Sequence, residues 1–201
     1  LDNSSERLAL REPVVVAGGP DVSVQQPLWD PTGRLWMISD ETDWWTLYAA
    51  TTPGRPEKFT VRVDRTGDIG SPAWVFAQSR YGFLSDGRVV FAYSSDGVDH
   101  LAVLEPLTGE IDHLDVGATA INGIATTATT AVMVSASFTA EAAITAVLVG
   151  RGGSSSTTVI RAPRDLPVSS ATLAIGRPVS FPTGPTGNRV AHGLVYLPTN
   201  P

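Results

Sequence analysis

The chain contains no cysteine in its 201 residues. Disulfides, thiolate zinc sites and a cysteine nucleophile are therefore excluded, and the absence fits a reducing compartment. Basic charge is scarce as well. Of the 14 lysines and arginines, only Lys58 is a lysine, and the net charge is −6. A nucleic-acid partner, which calls for a basic face, is not expected. The arginine excess reads as codon bias and carries no functional meaning. Long apolar runs are missing too. The least charged stretch runs from Val116 to Gly150 with Glu141 as its only charge, but Thr and Ser interrupt it. A membrane span needs about 20 mostly apolar residues. The opening "LDNSSERLAL" has no initiator methionine, basic n-region or apolar core, so it is not a signal peptide. It reads as the interior of a longer polypeptide, and a cytoplasmic location is expected. "NSS" at 3–5 matches a glycosylation acceptor, which has no meaning without a secretory signal.

What is present is globular in character. Hydrophobic residues make up 42% and charged residues 17%. Short runs rich in β-branched, aromatic and aliphatic residues recur: "RLWMIS", "WTLYA", "RVVFAY", "HLAVLE", "TAVMVSA" and "ITAVLVG". Between them lie "DPTG" at 30–33, "SDG" at 85–87 and 95–97, and "PLTGE" at 106–110, whose Asp, Gly and Pro supply tight-turn geometry. The alanine-rich stretch 140–147 has helical propensity, but its Thr and Val neighbours favour strand. The chain is expected to be all-β.

The runs fall into a larger period. Pro27 and Trp29 open one unit, and Pro72 and Trp74 open another 45 residues later. Four short antiparallel strands per roughly 45 residues is the pattern of a β-propeller blade. Leu35, Trp36, Met37 and Ile38 are consecutive, as a strand sandwiched between two blades requires. Four of the five tryptophans fall within residues 29–48. Trp29, Trp36 and Trp45 are assigned to packing between blades rather than to a stacking platform for a sugar or base. Trp45, Leu47 and Ala49 should share one strand face, with Thr46 and Tyr48 on the other. Trp44, at the edge of a turn, is the tryptophan expected to be exposed.

Residues 1–172 are read as an incomplete propeller of about three to four blades. Residues 173–201 form a Pro-rich connector followed by one strand-like run, "RVAHGLVYL". That run is read as the first strand of a domain lying beyond Pro201.

Three stretches carry a family resemblance: "VAGGPDVSVQQPLWDPTGRLWMISDETDWWTLY", "PAWVFAQSRYGFLSDGRVV" and "PVSFPTGPTGNRVAHGLVYLPTNP". Together they resemble the propeller and crossover of the prolyl oligopeptidase family of serine peptidases, nearest to its dipeptidyl aminopeptidase/acylaminoacyl-peptidase type. The resemblance covers about residues 16–201. Two departures fall at turns: "DPTG" where "SPDG" is usual, and Asp43 where glycine often precedes the paired tryptophans. The resemblance implies a C-terminal α/β-hydrolase domain in the same polypeptide as the chain's partner. It also implies a propeller that caps the active site and filters substrates by size, and hydrolysis of short peptides or acyl-peptides.

The chain itself lacks that chemistry. No G-x-S-x-G elbow occurs, so no catalytic residue is assigned and the chain alone should not hydrolyse anything. "GRGGSSSTT" at 150–158 reads as a hairpin loop. It has neither the Walker lysine nor the following helix of a phosphate cradle, and no cofactor is expected. His100 and His113 read as polar strand-edge residues rather than metal ligands, and His192 as structural. Asp40, Glu41 and Asp43 read as a solvated turn rather than a calcium loop or catalytic pair. No metal site is assigned, and substrate-binding residues are not identifiable. Two other classes stay open: a stand-alone propeller-like binding or scaffold module, and a tryptophan-lined carbohydrate binder. Exposed apolar faces on the end blades, built from residues such as Leu35, Met37, Val132 and Val134, would promote self-association.

Overall fold

A computed structural model describes residues 13–63 and 67–199. "NSS" at 3–5 and the first twelve residues of the assigned propeller segment lie outside the described residues.

Three four-stranded antiparallel meanders follow one another along the chain. The first comprises β1 (Val24–Trp29), β2 (Leu35–Ser39), β3 (Thr46–Thr52) and β4 (Arg55–Val61). The second comprises β5 (Tyr81–Phe83), β6 (Val89–Ser95), β7 (Val98–Leu104) and β8 (Ile111–Leu114). The third comprises β9 (Ala120–Thr126), β10 (Thr130–Ser137), β11 (Ala140–Val149) and β12 (Ser155–Arg161). The expected all-β partial propeller is thus borne out, with three blades among the described residues. The alanine-rich stretch lies in β11. The one helical element among the described residues is a 3₁₀ turn at Ser170–Thr172. No helix among the described residues is long and apolar enough to cross a membrane.

Apolar residues on both faces of a strand make sense once the blades pack. In β6, Val89, Phe91 and Tyr93 face the first blade, where they meet Trp36, Ile38, Leu47 and Ala49. The alternate residues Val90 and Ala92 face the third blade, meeting Ile121, Ala131, Met133 and Val147. β7 divides the same way, Ala102 and Leu104 to one side and Leu101 and Val103 to the other. The period of two therefore sorts one sheet into two cores. Trp36 is fully buried between the first two blades, as expected, and Trp45 packs at the margin of the same core. Leu47 and Ala49 point into that core from one face of β3, and Tyr48 from the other face does not join it.

Trp29 departs from expectation, being 55% exposed. A β-bulge in β1 is the reason. Gln25 pairs with Ile38, but beyond the bulge Leu28 pairs with Trp36 and Trp29 with Leu35. One extra residue moves every later side chain to the opposite face. Without it Trp29 would oppose Arg34, on the face of Trp36. With it Trp29 joins Leu35 on the side away from the second blade.

The expected 45-residue register is also corrected. Trp29 ends an inner strand, whereas Trp74 lies in the connector before β5 and is largely exposed. The second strands of the blades begin at Leu35, Val89 and Thr130, so the first unit is longer than the second. The connector spanning residues 62–80 accounts for the difference.

The end faces are not uniformly bare. Leu35 and Met37, expected to be exposed, are only 8% and 4% accessible. Their cross-strand partners on the same face are the bulky Trp29 and Tyr48. On the third blade Val132 is half-buried and Val134 is 40% exposed.

The C-terminal run is not a lone strand. The proline-containing segment before it is itself strand β13 (Gly176–Thr183), and it pairs over its whole length with β14 (Arg189–Tyr196). Pro178 and Pro182 are tolerated because a two-stranded ribbon is all edge. "GPTG" at 184–187 lies in the turn between them, as expected.

Candidate functional site

In each meander the connector into the inner strand and the turn between the second and third strands lie at one end. Backbone hydrogen bonds stitch that end together. Asp68 and Ser94 exchange a pair of bonds, Asp99 N–H donates to Thr119, and Thr119 N–H donates to Ala136. At the opposite end, Arg88 donates to the carbonyls of Gly150 and Val149, joining the second and third blades.

The stitched end centres on Arg80, which is buried just before β5. Its Nε donates to the Ile69 carbonyl at 2.9 Å and its Nη1 to the Ile121 carbonyl at 2.7 Å. Its Nη2 lies 3.0 Å from Asp99 Oδ1. Asp99 also accepts from the Ser94 hydroxyl and, at 2.8 Å, from the Ile121 N–H. Burial opposes ionisation of Asp99. The hydrogen bonds from Arg80 and Ser94, the Arg80 charge and the Ile121 N–H outweigh it, holding the carboxyl below its ordinary value. Gln26, at the bulge, completes the network. Its amide donates to the Ser79 hydroxyl and the Tyr81 carbonyl and accepts from the Arg80 N–H, while Tyr81 Oη donates to the Gln26 carbonyl at 2.7 Å. One polar cluster thereby ties the inner strands of all three blades.

Beside this cluster two clefts of about 270 and 310 Å³ open along the inner strands. They share the connector wall formed by Ser71, Val75, Phe76, Ala77, Gln78 and Arg80. One extends to Val24, Gln25 and Gln26 of the first blade, the other to Asn122 and Gly123 of the third. Trp74 and Phe76 project from the connector with little or no cover, and Val75 between them is also exposed. Ala77 has φ 62°, a left-handed conformation that a residue with a Cβ rarely adopts.

The ribbon β13–β14 is held at the same end. Leu194 sits against Gly97 in the β6–β7 turn, and Phe138 in the β10–β11 turn meets Tyr196 edge-on with centroids 6.0 Å apart. A cleft of about 210 Å³ lies between the ribbon and the Asp96–Gly97 turn.

The histidines fall where the sequence suggested, on strands. His100 stacks on Tyr93 with centroids 5.0 Å apart, and His113 Nδ1 lies 2.9 Å from Tyr93 Oη. His192 lies opposite Ser180 on the ribbon, Nδ1 to Oγ 2.8 Å. That serine is on a two-stranded ribbon and not on a strand–helix elbow. No group of three or more His, Asp or Glu among the described residues could hold a metal ion. Asp40, Glu41 and Asp43 lie in the β2–β3 turn, where Asp40 accepts from the Ser23 N–H at 2.7 Å. Trp44, as expected, is exposed, at 54%. The Gly-rich segment at 150–154 is the turn between β11 and β12.

Sequence reasoning did not find Gln26, Arg80 and Asp99. Each belongs to a different element, and no spacing rule connects them. The connector "SPAWVFAQ" did carry a signal: an apolar run after proline without strand alternation.

Three meander blades packed face to face define the class: a segment of a β-propeller. Solved structures resolve it further. A puromycin-hydrolyzing peptidase of Mycobacterium tuberculosis is similar at 27% identity and TM-score 0.78, over 92% of this chain and 27% of that one. A puromycin hydrolase matches at 25% identity and TM-score 0.77, over 91% and 27%. A prolyl endopeptidase shares the fold at 14% identity and TM-score 0.55, over 83% and 23%. The chain spans about a quarter of the length of each. No family model and no curated protein matches the sequence. The resemblance read from the sequence is borne out: the chain is similar over nine-tenths of its length to one portion of these puromycin-hydrolysing enzymes, and it shares its fold with a prolyl endopeptidase.

Proposed function

We propose that this chain is the blade segment of a serine peptidase of the dipeptidyl aminopeptidase/acylaminoacyl-peptidase type. Such an enzyme hydrolyses short peptides or acyl-peptides through an acyl-enzyme on a serine outside these 201 residues. The blades cap the active site of an α/β-hydrolase domain in the same polypeptide and admit substrates by size. Residues 173–201 are the crossover into that domain, with the ribbon β13–β14 as its beginning. A cytoplasmic location accords with the lack of cysteine. The observation that carries this reading is the similarity, over nine-tenths of the chain, to two puromycin-hydrolysing enzymes. Their remaining three-quarters leaves room for the catalytic domain.

The test is the coding frame beyond Pro201. A G-x-S-x-G elbow followed by Asp and His within about 250 residues, a common domain length, is expected. The whole polypeptide should then cleave aminoacyl or acyl-peptide chromogenic substrates, and serine-to-alanine at the elbow should abolish turnover. The 201-residue chain alone should show none. A frame that lacks the elbow, or fluorophosphonate-sensitive turnover by the 201 residues themselves, would overturn the reading.

A further inference from the structure

The clefts beside Arg80 have a lining that domain packing alone does not require. Gln25, Gln78 and Asn122 line them, and their side-chain amides make no hydrogen bond to another described residue. The neighbouring Gln26, by contrast, spends its amide on Ser79, Tyr81 and Arg80. Arg80 is the one ionisable side chain in either lining, and its guanidinium is taken up by Asp99 and two carbonyls. The clefts therefore offer uncharged donors and acceptors. β1, β5 and β9 each stand at the end of their sheet, so one edge of each inner strand has no strand partner among the described residues. Phe76 is fully exposed on the shared wall, and Ala77 holds it there in a strained conformation. Backbone strain of this kind persists where the surroundings impose it, often at ligand sites.

We propose that the trough bounded by Gln25, Gln78, Asn122 and Phe76 binds an extended, uncharged peptide. Its backbone amides pair with the carboxamides, and an apolar side chain packs on Phe76. The chemistry matches on both counts. A carboxamide both donates and accepts, as a peptide unit does. An ionised side chain gains nothing by packing on Phe76 and finds no free counter-charge in the lining, where Arg80 is already paired with Asp99. This inference rests on the peptidase reading for its ligand class. It adds a binding site on the blades themselves.

Calorimetric titration of the 201-residue chain with acetyl-Gly-Phe-Gly-amide tests it. Saturable one-to-one binding is expected. Asn122→Leu and Gln78→Leu, which keep the shape and delete the amide, should each weaken binding about 3- to 10-fold, the worth of one hydrogen bond. Phe76→Ala should weaken binding to the Phe-containing peptide and not to acetyl-Gly-Gly-Gly-amide. Acetyl-Gly-Asp-Gly-amide should bind less well than the Phe peptide, and Trp44→Ala should leave every affinity unchanged. These positions are exposed, so unchanged melting temperatures will confirm that the variants fold. Three results would overturn the proposal: no saturable heat at millimolar peptide, wild-type affinity in both Phe76→Ala and Asn122→Leu, or equal affinity for the Asp peptide. None of them touches the peptidase reading, which the coding frame decides separately.

Discussion

At the scale of single residues, two side chains hold disproportionate amounts of structure together. Trp36 is fully buried, donates from Nε1 to Asp30 Oδ2 at 2.9 Å and meets Phe83 edge-on at 5.7 Å. Trp36→Ala should destabilise the fold by about 3–5 kcal/mol, as large aromatic truncations in cores do. Denaturant titration measures it, and a loss below about 1 kcal/mol would show that the core closes over the gap. Asp99 governs the second case. Its partner Arg80 is buried, so Asp99→Asn strands a cation, with an expected loss of about 3 kcal/mol, the low end for a broken buried pair because Asp99 keeps some exposure. The pH dependence has a definite sign. Asp99 and Asp30 both have folded pKa values below the ordinary carboxylate value. Burial opposes ionisation at Asp30 too, and is outweighed by hydrogen bonds from Thr32, Arg34 and Trp36. Depressed carboxylates contribute stability above their unfolded pKa and lose it as pH falls towards the folded one. Stability should therefore decline as pH drops below about 4, and Asp99→Asn should decline less steeply. Parallel slopes for the two proteins would remove Asp99 from the account.

Among the elements, β1 shows how one residue sets a strand's function. Gln26 sits at φ 47° in the bulge and supplies the amide that bridges Ser79, Arg80 and Tyr81. The bulge turns Trp29 away from the core, and the amide fixes the first blade to the second. Gln26→Gly keeps the backbone conformation accessible and removes only the bridge. It should cost about 1–3 kcal/mol for the buried groups left without partners. Hydrogen exchange should show loosened protection at Arg80 and Tyr81, with β6 and β7 unchanged. Uniform loss of protection would mean that the bridge is not local. The ribbon β13–β14 gives a second case. A Cβ at Gly97 would come within 3.0 Å of Leu194, and Gly97 has φ 78°. Gly97→Val should therefore weaken the seat of the ribbon on the second blade. A rise in proteolytic cleavage within residues 176–196, ahead of the blades, is the expected readout.

For the whole molecule, the decisive matter is which sheet faces are covered. The middle blade is covered on both sides, by the first blade and by the third. The outer side of the third blade shows Val134 and Leu148 to solvent. In a complete propeller the next blade would lie there, and for the 201 residues alone a second copy is the available substitute. Light scattering should show concentration-dependent association at micromolar protein, reduced by Leu148→Lys. A monomer at all concentrations would show that this face needs no cover.

The sequence by itself determined the blades. Turn dipeptides between short strands apolar on both faces have few solutions other than stacked meanders, because a sheet wet on one side would alternate. It also determined the absence of a nucleophile elbow, which is a local pattern. Tertiary structure alone decided what a local pattern cannot carry. The bulge that exposes Trp29, the pairing of β13 with β14 despite two prolines, and the cover over Leu35 and Met37 all depend on register against a partner strand. Arg80, Asp99 and Gln26 come together only because β1, the approach to β5 and the start of β7 meet at one end of the blades. Their contacts join residues far apart in the chain, 19 positions for Arg80 to Asp99, 41 for Arg80 to Ile121 and 55 for Gln26 to Tyr81. Such contacts are set by how blades pack, and side-chain periodicity within a strand reports only which face a residue occupies.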